Sequence, residues 1–99
     1  MLIRIVRMTV RPEAVATFLE HFDDAAPRIR EFRGCEHLEL WQDARYANQL
    51  TTCSHWTSED ALETYRTSDL FHSTWTEVKP LFAARPRAFS YRRCRPDPS

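Results

Sequence analysis

The spacing of apolar residues divides the first third of the chain into a strand and a helix. Leu2 to Val10 is rich in apolar and β-branched residues and ends before Pro12, a residue suited to the first turn of a helix. We therefore predict a strand there. A helix follows, because apolar residues recur at helical spacing at Val15, Phe18, Leu19, Phe22, Ala26 and Ile29. Pro27 costs about 3 kcal/mol inside a helix, so we expect either a kink or a restart there, with residues 28–32 helical again.

The next segment has the pattern of a β-hairpin. Gly34 is expected to terminate the helix, since glycine tolerates the left-handed conformation that closes many helices. Residues 35–43 then form a strand, the run DARYAN forms a turn, and residues 49–56 form a third strand that pairs back. Strict alternation in the second strand predicts two faces, one with Glu36, Leu38, Leu40 and Gln42 and the other with Cys35, His37, Glu39 and Trp41.

The last third of the chain reads as two helical pieces and a final strand. Thr57 or Ser58 is the expected N-cap of the first piece, and Thr57 with Asp60 matches a capping box. Pro80 lies late in the second piece and should distort it. Residues 87–93 form the predicted fourth strand, and residues 94–99 a flexible tail. The apolar stripes of the two helical pieces are Ala61, Leu62 and Tyr65, then Phe71, Trp75, Val78 and Phe82.

This element order predicts an α+β fold. Strand, helix, strand, strand, helix, strand is the ferredoxin-like βαββαβ arrangement, in which two helices cover one face of a four-stranded antiparallel sheet. We expect residues 1–93 to form a single domain of this kind. The second and third strands carry large side chains on both faces, so the open face needs a cover. Two sheets packed face to face in a homodimer, as a dimeric α+β barrel, would supply it.

Composition excludes several classes of function. The chain of 99 residues has 14 basic and 14 acidic residues, which argues against nucleic-acid binding through phosphate contacts. Its only glycine excludes the glycine-rich loops that bind nucleotide phosphates. Three cysteines without paired spacing, no export signal and no apolar run of about twenty residues indicate a cytoplasmic protein with reduced thiols and no membrane partner.

Three segments carry a resemblance to a known family. They are RPEAVATFLEHF in the first helix, FRGCEHLELWQD at the second strand, and SHWTSEDALETYRTSDLFHSTWTEVK from the third strand onward. With them the chain resembles the antibiotic biosynthesis monooxygenase family of dimeric α+β barrels. The resemblance implies a homodimer with a cavity between sheet and helices in each subunit. It also implies varied chemistry: some members oxidise aromatic polyketides or quinols without metal, haem or flavin, and others cleave haem or isomerise small sugars.

The residues matched to the haem-degrading branch differ from its pattern. That branch has an asparagine on the first strand, a tryptophan in the helix after the third strand and a haem-ligating histidine in the next helix. The matching positions here are Val6, Tyr65 and Trp75. We therefore do not expect haem degradation, although His72 leaves haem binding of another geometry open. For the cofactor-free branch, the positions carried over are Trp56, Tyr65 and Trp75.

The hairpin suggests a polar site. A turn near residues 45–46 sets His37 opposite His55, Glu39 opposite Cys53 and Trp41 opposite Thr51. An imidazole can take a proton from an acidic phenol or quinol, as cofactor-free oxygenation requires, and a neighbouring group can stabilise the oxyanion. We assign His55 and His37 as candidate catalytic residues.

Two other interpretations of these residues stay open. His37 and His55 can be cross-strand partners at a dimer interface with no catalytic role, or can join Glu39 in binding zinc, iron or manganese. Substrate contacts are assigned to Tyr65, Trp75, His72 and Trp41.

The sequence thus predicts an enzyme, a small cofactor-independent monooxygenase that uses O2 on an aromatic, polyketide-like or quinol-like molecule. The alternative is a dimeric barrel that binds a small molecule without turnover. A metal-dependent or haem-binding member of the same superfamily is a further alternative.

Overall fold

A computed structural model of the protein describes residues 1–98. It confirms the α+β ferredoxin-like prediction: a four-stranded antiparallel sheet in the order β2-β3-β1-β4, with the helices on one face. The strands are β1 (Leu2–Thr9), β2 (Cys35–Gln42), β3 (Gln49–Trp56) and β4 (Arg87–Tyr91), and the helices are α1 (Val15–Arg30), α2 (Glu59–Arg66) and α3 (Asp69–Val78). Two short 3₁₀ turns, Pro12–Ala14 and Lys79–Leu81, precede α1 and follow α3.

The first helix differs from the sequence prediction at its C-terminal end. It runs from Val15 through Pro27 to Arg30 as one element without a restart, so residues 28–30 are helical as predicted, while the predicted helix over residues 31–32 is wrong. The chain instead forms a turn, in which the Phe32 amide donates to the Ile29 carbonyl at 3.0 Å. Proline is accommodated because only its own amide bond is lost, while neighbouring helical bonds remain.

Gly34 lies beyond this turn and has a different role from the predicted helix cap. Its φ is +93°, a conformation that other residues rarely adopt, and a Cβ there would lie 2.6 Å from the Cβ of Ala61. The Gly34 carbonyl also accepts a hydrogen bond from the Thr57 amide at 2.9 Å. Glycine is therefore required both by the backbone turn and by the close approach of α2.

The starts of α2 and α3 follow from their capping residues. Ser58 is the N-cap of α2, and its hydroxyl accepts a hydrogen bond from the Ala61 amide at 3.1 Å. Ser68 caps α3 in the same way, accepting from the Phe71 amide at 3.2 Å. Each cap satisfies a backbone donor that the helix itself leaves free. The abrupt change from β3 to α2 that the sequence predicted is confirmed.

The C-terminal segment closes the fold beside β1. Pro80 lies in the 3₁₀ turn that follows α3, and Phe82 then pairs with Val10 in an isolated bridge. The fourth strand is shorter than predicted and ends at Tyr91. The predicted flexible tail covers residues 94–99, and Ser99 lies outside the described residues.

The face of the sheet under the helices, called the helix-covered face, holds the core. Trp56 is almost fully buried, and its indole Nε1 donates to the Ser54 hydroxyl at 2.9 Å. Burial of large apolar side chains, each worth about 1.5–3 kcal/mol, fixes the helices on this face. Its strand residues are Leu2, Arg4, Val6, Met8, Leu38, Leu40, Leu50, Thr52, Ser54, Trp56 and Ala88.

The opposite face, called the helix-free face, is covered by no helix or strand of residues 1–98. Trp41 and Tyr91 on it are 46% and 51% exposed, unusual values for such large apolar groups. The residues of this face are Ile3, Ile5, Arg7, His37, Glu39, Trp41, Thr51, Cys53, His55, Arg87, Phe89 and Tyr91. None of the helices in residues 1–98 is long and apolar enough to cross a membrane.

Candidate functional site

The predicted register of the hairpin is confirmed. His37 lies opposite His55, Glu39 opposite Cys53, and Trp41 opposite Thr51. Alternation places all of these side chains on the helix-free face. The hairpin therefore brings two imidazoles, a carboxylate and a thiol together on one face.

The predicted faces of β2 are wrong at one position, Cys35, because the strand contains a β-bulge. Cys35 pairs with Trp56 and His37 pairs with His55, so Glu36 is an extra residue in the ladder. The inserted residue reverses the alternation. Cys35 consequently packs against the core of the helix-covered face instead of sharing a face with His37.

The polar residues of the helix-free face form a continuous network across β2 and β3. The Trp41 indole donates to Glu39 Oε1 at 2.9 Å, and His37 Nε2 lies 3.4 Å from Glu39 Oε2. The rings of His37 and His55 are 4.9 Å apart between centroids. His55 Nε2 in turn lies 3.8 Å from Cys53 Sγ. Both oxygens of the Glu39 carboxylate thus have partners.

Local electrostatics favour a neutral imidazole at His55. Burial lowers the pKa of His55, and the nearby charges of His37 and Arg93 lower it further. The Trp41 hydrogen bond lowers the pKa of Glu39, which therefore stays ionised. Burial raises the pKa of the Cys53 thiol, so it is a weak donor rather than a nucleophile. A neutral imidazole beside a carboxylate can act as a base.

The same network does not have the geometry of a metal centre. Within residues 1–98, no three histidine, cysteine, aspartate or glutamate side chains are arranged to hold a metal ion. Glu39 uses its two oxygens on Trp41 and His37. The metal interpretation of His37, Glu39 and His55 therefore gains no geometric support.

A cavity of about 400 Å³ lies on the other side of the sheet, between the helix-covered face and the helices. This volume is in the range of small-molecule sites, which are mostly apolar with a few polar groups. Aromatic side chains from four separate elements form much of the wall. The lining aromatic residues are Phe18, Phe22, Trp56, Tyr65, Phe71, Trp75 and Phe82.

Tyr65 contacts two other aromatic rings of the cavity wall. Its ring stacks on Trp56 with centroids 4.9 Å apart and meets Phe71 edge to face at 5.3 Å. Burial raises the pKa of Tyr65 to about 12. Its hydroxyl therefore remains protonated near neutral pH and is available as a hydrogen-bond donor to a ligand.

The polar groups of the cavity are hydroxyls and cations. Thr52 and Ser54 project from β3 into the cavity, and Arg4 projects from β1. Arg66 and Lys79 line it as well and are exposed, which places them where the cavity opens to solvent. Among the described residues of the lining, no histidine, aspartate or glutamate occurs.

The structure divides the sequence-predicted site residues between these two places. Tyr65 and Trp75 line the cavity, whereas His37, His55 and Trp41 lie on the helix-free face. His72 lies outside the cavity lining as well, exposed on α3, with its ring 5.9 Å from that of Phe71. A haem in the cavity would meet no histidine among the described lining residues. The catalytic assignment of His55 and His37 stays a prediction.

Sequence reasoning missed Arg4, Thr52 and Ser54. Arg4 had a detectable signal, since it shares the parity of Leu2, Val6 and Met8 and is a charge within an otherwise apolar face. Thr52 and Ser54 had none, because short polar residues are common in strands. The cavity above Thr52 and Ser54 depends on how the helices pack on the sheet. Apolar periodicity in the sequence carries no information about that packing.

Taken together, the chain is a small α+β protein whose ferredoxin-like sheet and helices enclose a ligand-sized, aromatic-walled cavity. The sequence profile of the antibiotic biosynthesis monooxygenase family matches residues 1–76. The chain therefore belongs to that family, as the three sequence segments suggested.

Solved structures of similar fold agree with this assignment. An antibiotic biosynthesis monooxygenase superposes with a TM-score of 0.90 at 16% identity, covering 96% of this chain and 100% of the other. A conserved protein from Methanosarcina mazei gives 0.88 at 22% identity, covering 94% and 93%. A Mycobacterium tuberculosis protein gives 0.87 at 20% identity, covering 99% and 98%. At these identities the likeness shows the fold alone, and no curated protein matches the chain.

Proposed function

We propose that this protein is a cofactor-independent monooxygenase that uses O2 to oxygenate a small aromatic, polyketide-like or quinol-like substrate. The observation that carries the proposal is the aromatic-walled cavity of about 400 Å³ between sheet and helices. Flat aromatic substrates match such a wall, because stacking and edge contacts with its rings add to the gain from apolar burial.

The reaction needs only the electrons of the substrate. Removal of one proton from an activated CH2 group gives a carbanion, which adds O2 and takes up a proton to form a hydroperoxide at that carbon. Loss of water then leaves a carbonyl, so one oxygen atom enters the product and the other leaves as H2O. The protein must hold the substrate, stabilise its anion and let a proton depart.

Two places in the molecule can assist proton removal. In the cavity, Arg4 and Arg66 stabilise an anionic substrate, and water at the opening can accept the proton. On the helix-free face, the neutral imidazole of His55, beside His37, is a stronger base than water at the cavity opening. We propose His55 as the base for a substrate bound on that face, a site that a second subunit would have to enclose.

A homodimer is part of the proposal. Exposed Trp41 and Tyr91 on the helix-free face support it, since burying them against a second sheet removes a large apolar surface from water. Light scattering at micromolar concentration should give the mass of a dimer. A charged substitution at the centre of this face, Ile5→Lys, should give a monomer, whereas Ser73→Lys, at an exposed position of α3, should leave the dimer intact.

Paired variants locate the chemistry. With an anthrone or a dihydroxynaphthalene as substrate, Trp75→Ala should lower O2 consumption at least about tenfold if turnover occurs in the cavity. His55→Gln should lower it by about a hundredfold or more if His55 is the base. His72→Gln, an exposed histidine outside both places, is the control. Normal turnover in both of the first two variants would contradict the proposal.

The second candidate function is a dimeric small-molecule carrier without turnover. It is favoured by one observation: the described cavity lining holds cations, hydroxyls and rings but no histidine or carboxylate that could act as a base. Stoichiometric binding of the same aromatic compounds without O2 consumption or new product would establish this alternative.

A further inference from the structure

The charged groups of the cavity are all of one sign. Arg4, Arg66 and Lys79 line it, and no aspartate or glutamate does so in the part of the chain that the structure describes. The whole chain, in contrast, has 14 basic and 14 acidic residues and a formal charge of zero. The cationic lining is therefore a local property of the cavity and does not reflect overall composition.

Arg4 is the innermost of the three cations. It lies half-buried on the central strand β1, between Ser54 on β3 and Ser90 on β4. One guanidinium nitrogen, Nη1, donates to the Ser90 hydroxyl at 2.9 Å. A guanidinium has five N–H donors, so most of its donors remain for another partner.

No carboxylate in the described part of the chain lies in direct contact with the Arg4 guanidinium. Among residues 1–98, Arg4 takes part in no ion pair. Burial lowers the pKa of Arg4 and the charge of Arg66 lowers it further, while the charge of Glu63 acts in the opposite direction. Moving a cation out of water next to a like charge costs free energy unless an anion offsets it. An anionic ligand bound beside Arg4 would therefore be stabilised by its charge.

Arg66 and Lys79 extend the positive field to the opening. Arg66 lies in the last turn of α2 and is exposed, with Nη1 3.2 Å from Glu63 Oε2. Lys79 begins the 3₁₀ turn after α3 and is exposed as well. Two cations at the opening and one further inside create a positive electrostatic potential that attracts an anion into the cavity.

We propose that the ligand of this cavity is an aromatic carboxylic acid, held with its carboxylate on Arg4 and its rings against Tyr65 and Trp75. The inference rests on the proposed function and specifies its substrate class. A carboxylate suits the site because the planar guanidinium fork can donate two parallel hydrogen bonds to its two oxygens. The apolar remainder of such an acid would fill the aromatic part of the cavity.

A matched pair of probes tests the charge requirement. Naphthoate and naphthamide have nearly the same shape, and only the first carries a charge. Isothermal titration calorimetry with the wild-type protein should show naphthoate binding about tenfold or more tightly than naphthamide, equivalent to about 1.4 kcal/mol. Rising salt should weaken the binding of naphthoate and leave that of naphthamide nearly constant.

Two arginine variants identify the residue responsible. Arg4→Gln should bring the two affinities to within about threefold of each other. Arg7→Gln is the matched control, because Arg7 lies on the same strand, is exposed on the helix-free face, and loses the same charge. It should retain the full preference for naphthoate.

The possible outcomes separate this inference from the proposed function. Equal affinities in the wild type, or equal loss of preference in Arg4→Gln and Arg7→Gln, would overturn the inference. A clear preference for naphthoate without O2 consumption on a dihydroxynaphthoate would support the anion site and reject the oxygenase. Failure of both probes to bind would overturn both.

Discussion

The two faces of the sheet are built from the same four strands and differ in what covers them. The helix-covered face buries Trp56 almost completely and bounds an apolar cavity with cations at its opening. The helix-free face carries a hydrogen-bonded network with two histidines and leaves Trp41 46% exposed. The first face has volume for a ligand but no base, and the second has a base but no volume.

This contrast shows why residue chemistry alone is a poor guide to a small-molecule site. The titratable groups that attract attention in the sequence, His37 and His55, lie where a single chain encloses nothing. The cavity is lined mainly by residues that look like ordinary core, together with the three cations Arg4, Arg66 and Lys79. The helix-covered face can take a ligand as it stands, whereas the proposed use of the helix-free face rests on the proposed homodimer.

The largest expected effect compares tryptophans on the two faces. Trp56→Ala should cost about 3–5 kcal/mol of unfolding free energy, because it removes a buried ring from the core. Trp41→Ala should change the unfolding free energy of the monomer by only about 0.5 kcal/mol. Chemical denaturation at several protein concentrations measures both.

The concentration dependence sharpens this result. If the helix-free face is a dimer interface, the cost of Trp41→Ala should grow with protein concentration as the wild type gains stability from association. A cost that is small at every concentration would contradict the dimer.

A smaller effect is expected from Tyr65 at alkaline pH. Its pKa is raised from 10.0 to about 12, so the unfolded state loses this proton first as the pH rises. Stability should therefore fall between pH 10 and pH 12, by up to about 3 kcal/mol at 1.36 kcal/mol per pKa unit. Tyr65→Phe should remove this part of the loss, whereas Tyr91→Phe, at an exposed position, should retain it.

The smallest effect concerns His55 under mild acid. Its pKa in the folded state is lowered by burial and by the charges of His37 and Arg93, while Glu36 and Glu39 act in the opposite direction. The unfolded state therefore binds more protons as the pH falls below 6.5, the ordinary value, and stability decreases until the folded-state pKa is passed.

Thermal melts between about pH 8 and about pH 5 should show this decrease. His55→Gln should have a flatter profile, and the exposed variant His72→Gln should follow the wild type. An identical slope in His55→Gln would show that the histidine pair does not couple to folding.

The sequence predicts the fold and the hairpin register well for a physical reason. Both depend on local rules: apolar periodicity, Ser58 as a cap, and a turn whose length fixes which residues face each other. His37 opposite His55 follows directly from those rules.

The cavity and the face of Cys35 are beyond such rules. The cavity exists because α2, α3 and the segment through Phe82 stand off from the sheet, which depends on how several side chains pack together. Cys35 changes face because of one unpaired residue, Glu36. The catalytic assignment of His55 depends on whether two subunits associate through the helix-free face. Neither the apolar periodicity of the sequence nor the structure of one chain gives that information.

The bulge at Glu36 also tells how this scaffold can be altered. Because Glu36 is an extra residue in the ladder, Cys35 before it and the residues from His37 onward alternate out of step with each other. Deleting Glu36 would make the ladder regular, and Cys35 or the run from His37 to Trp41 would have to change sides. One codon thus controls whether a row of imidazole, carboxylate and indole lies on the helix-free face or faces the helices, which makes position 36 the natural site for engineering a base into the cavity.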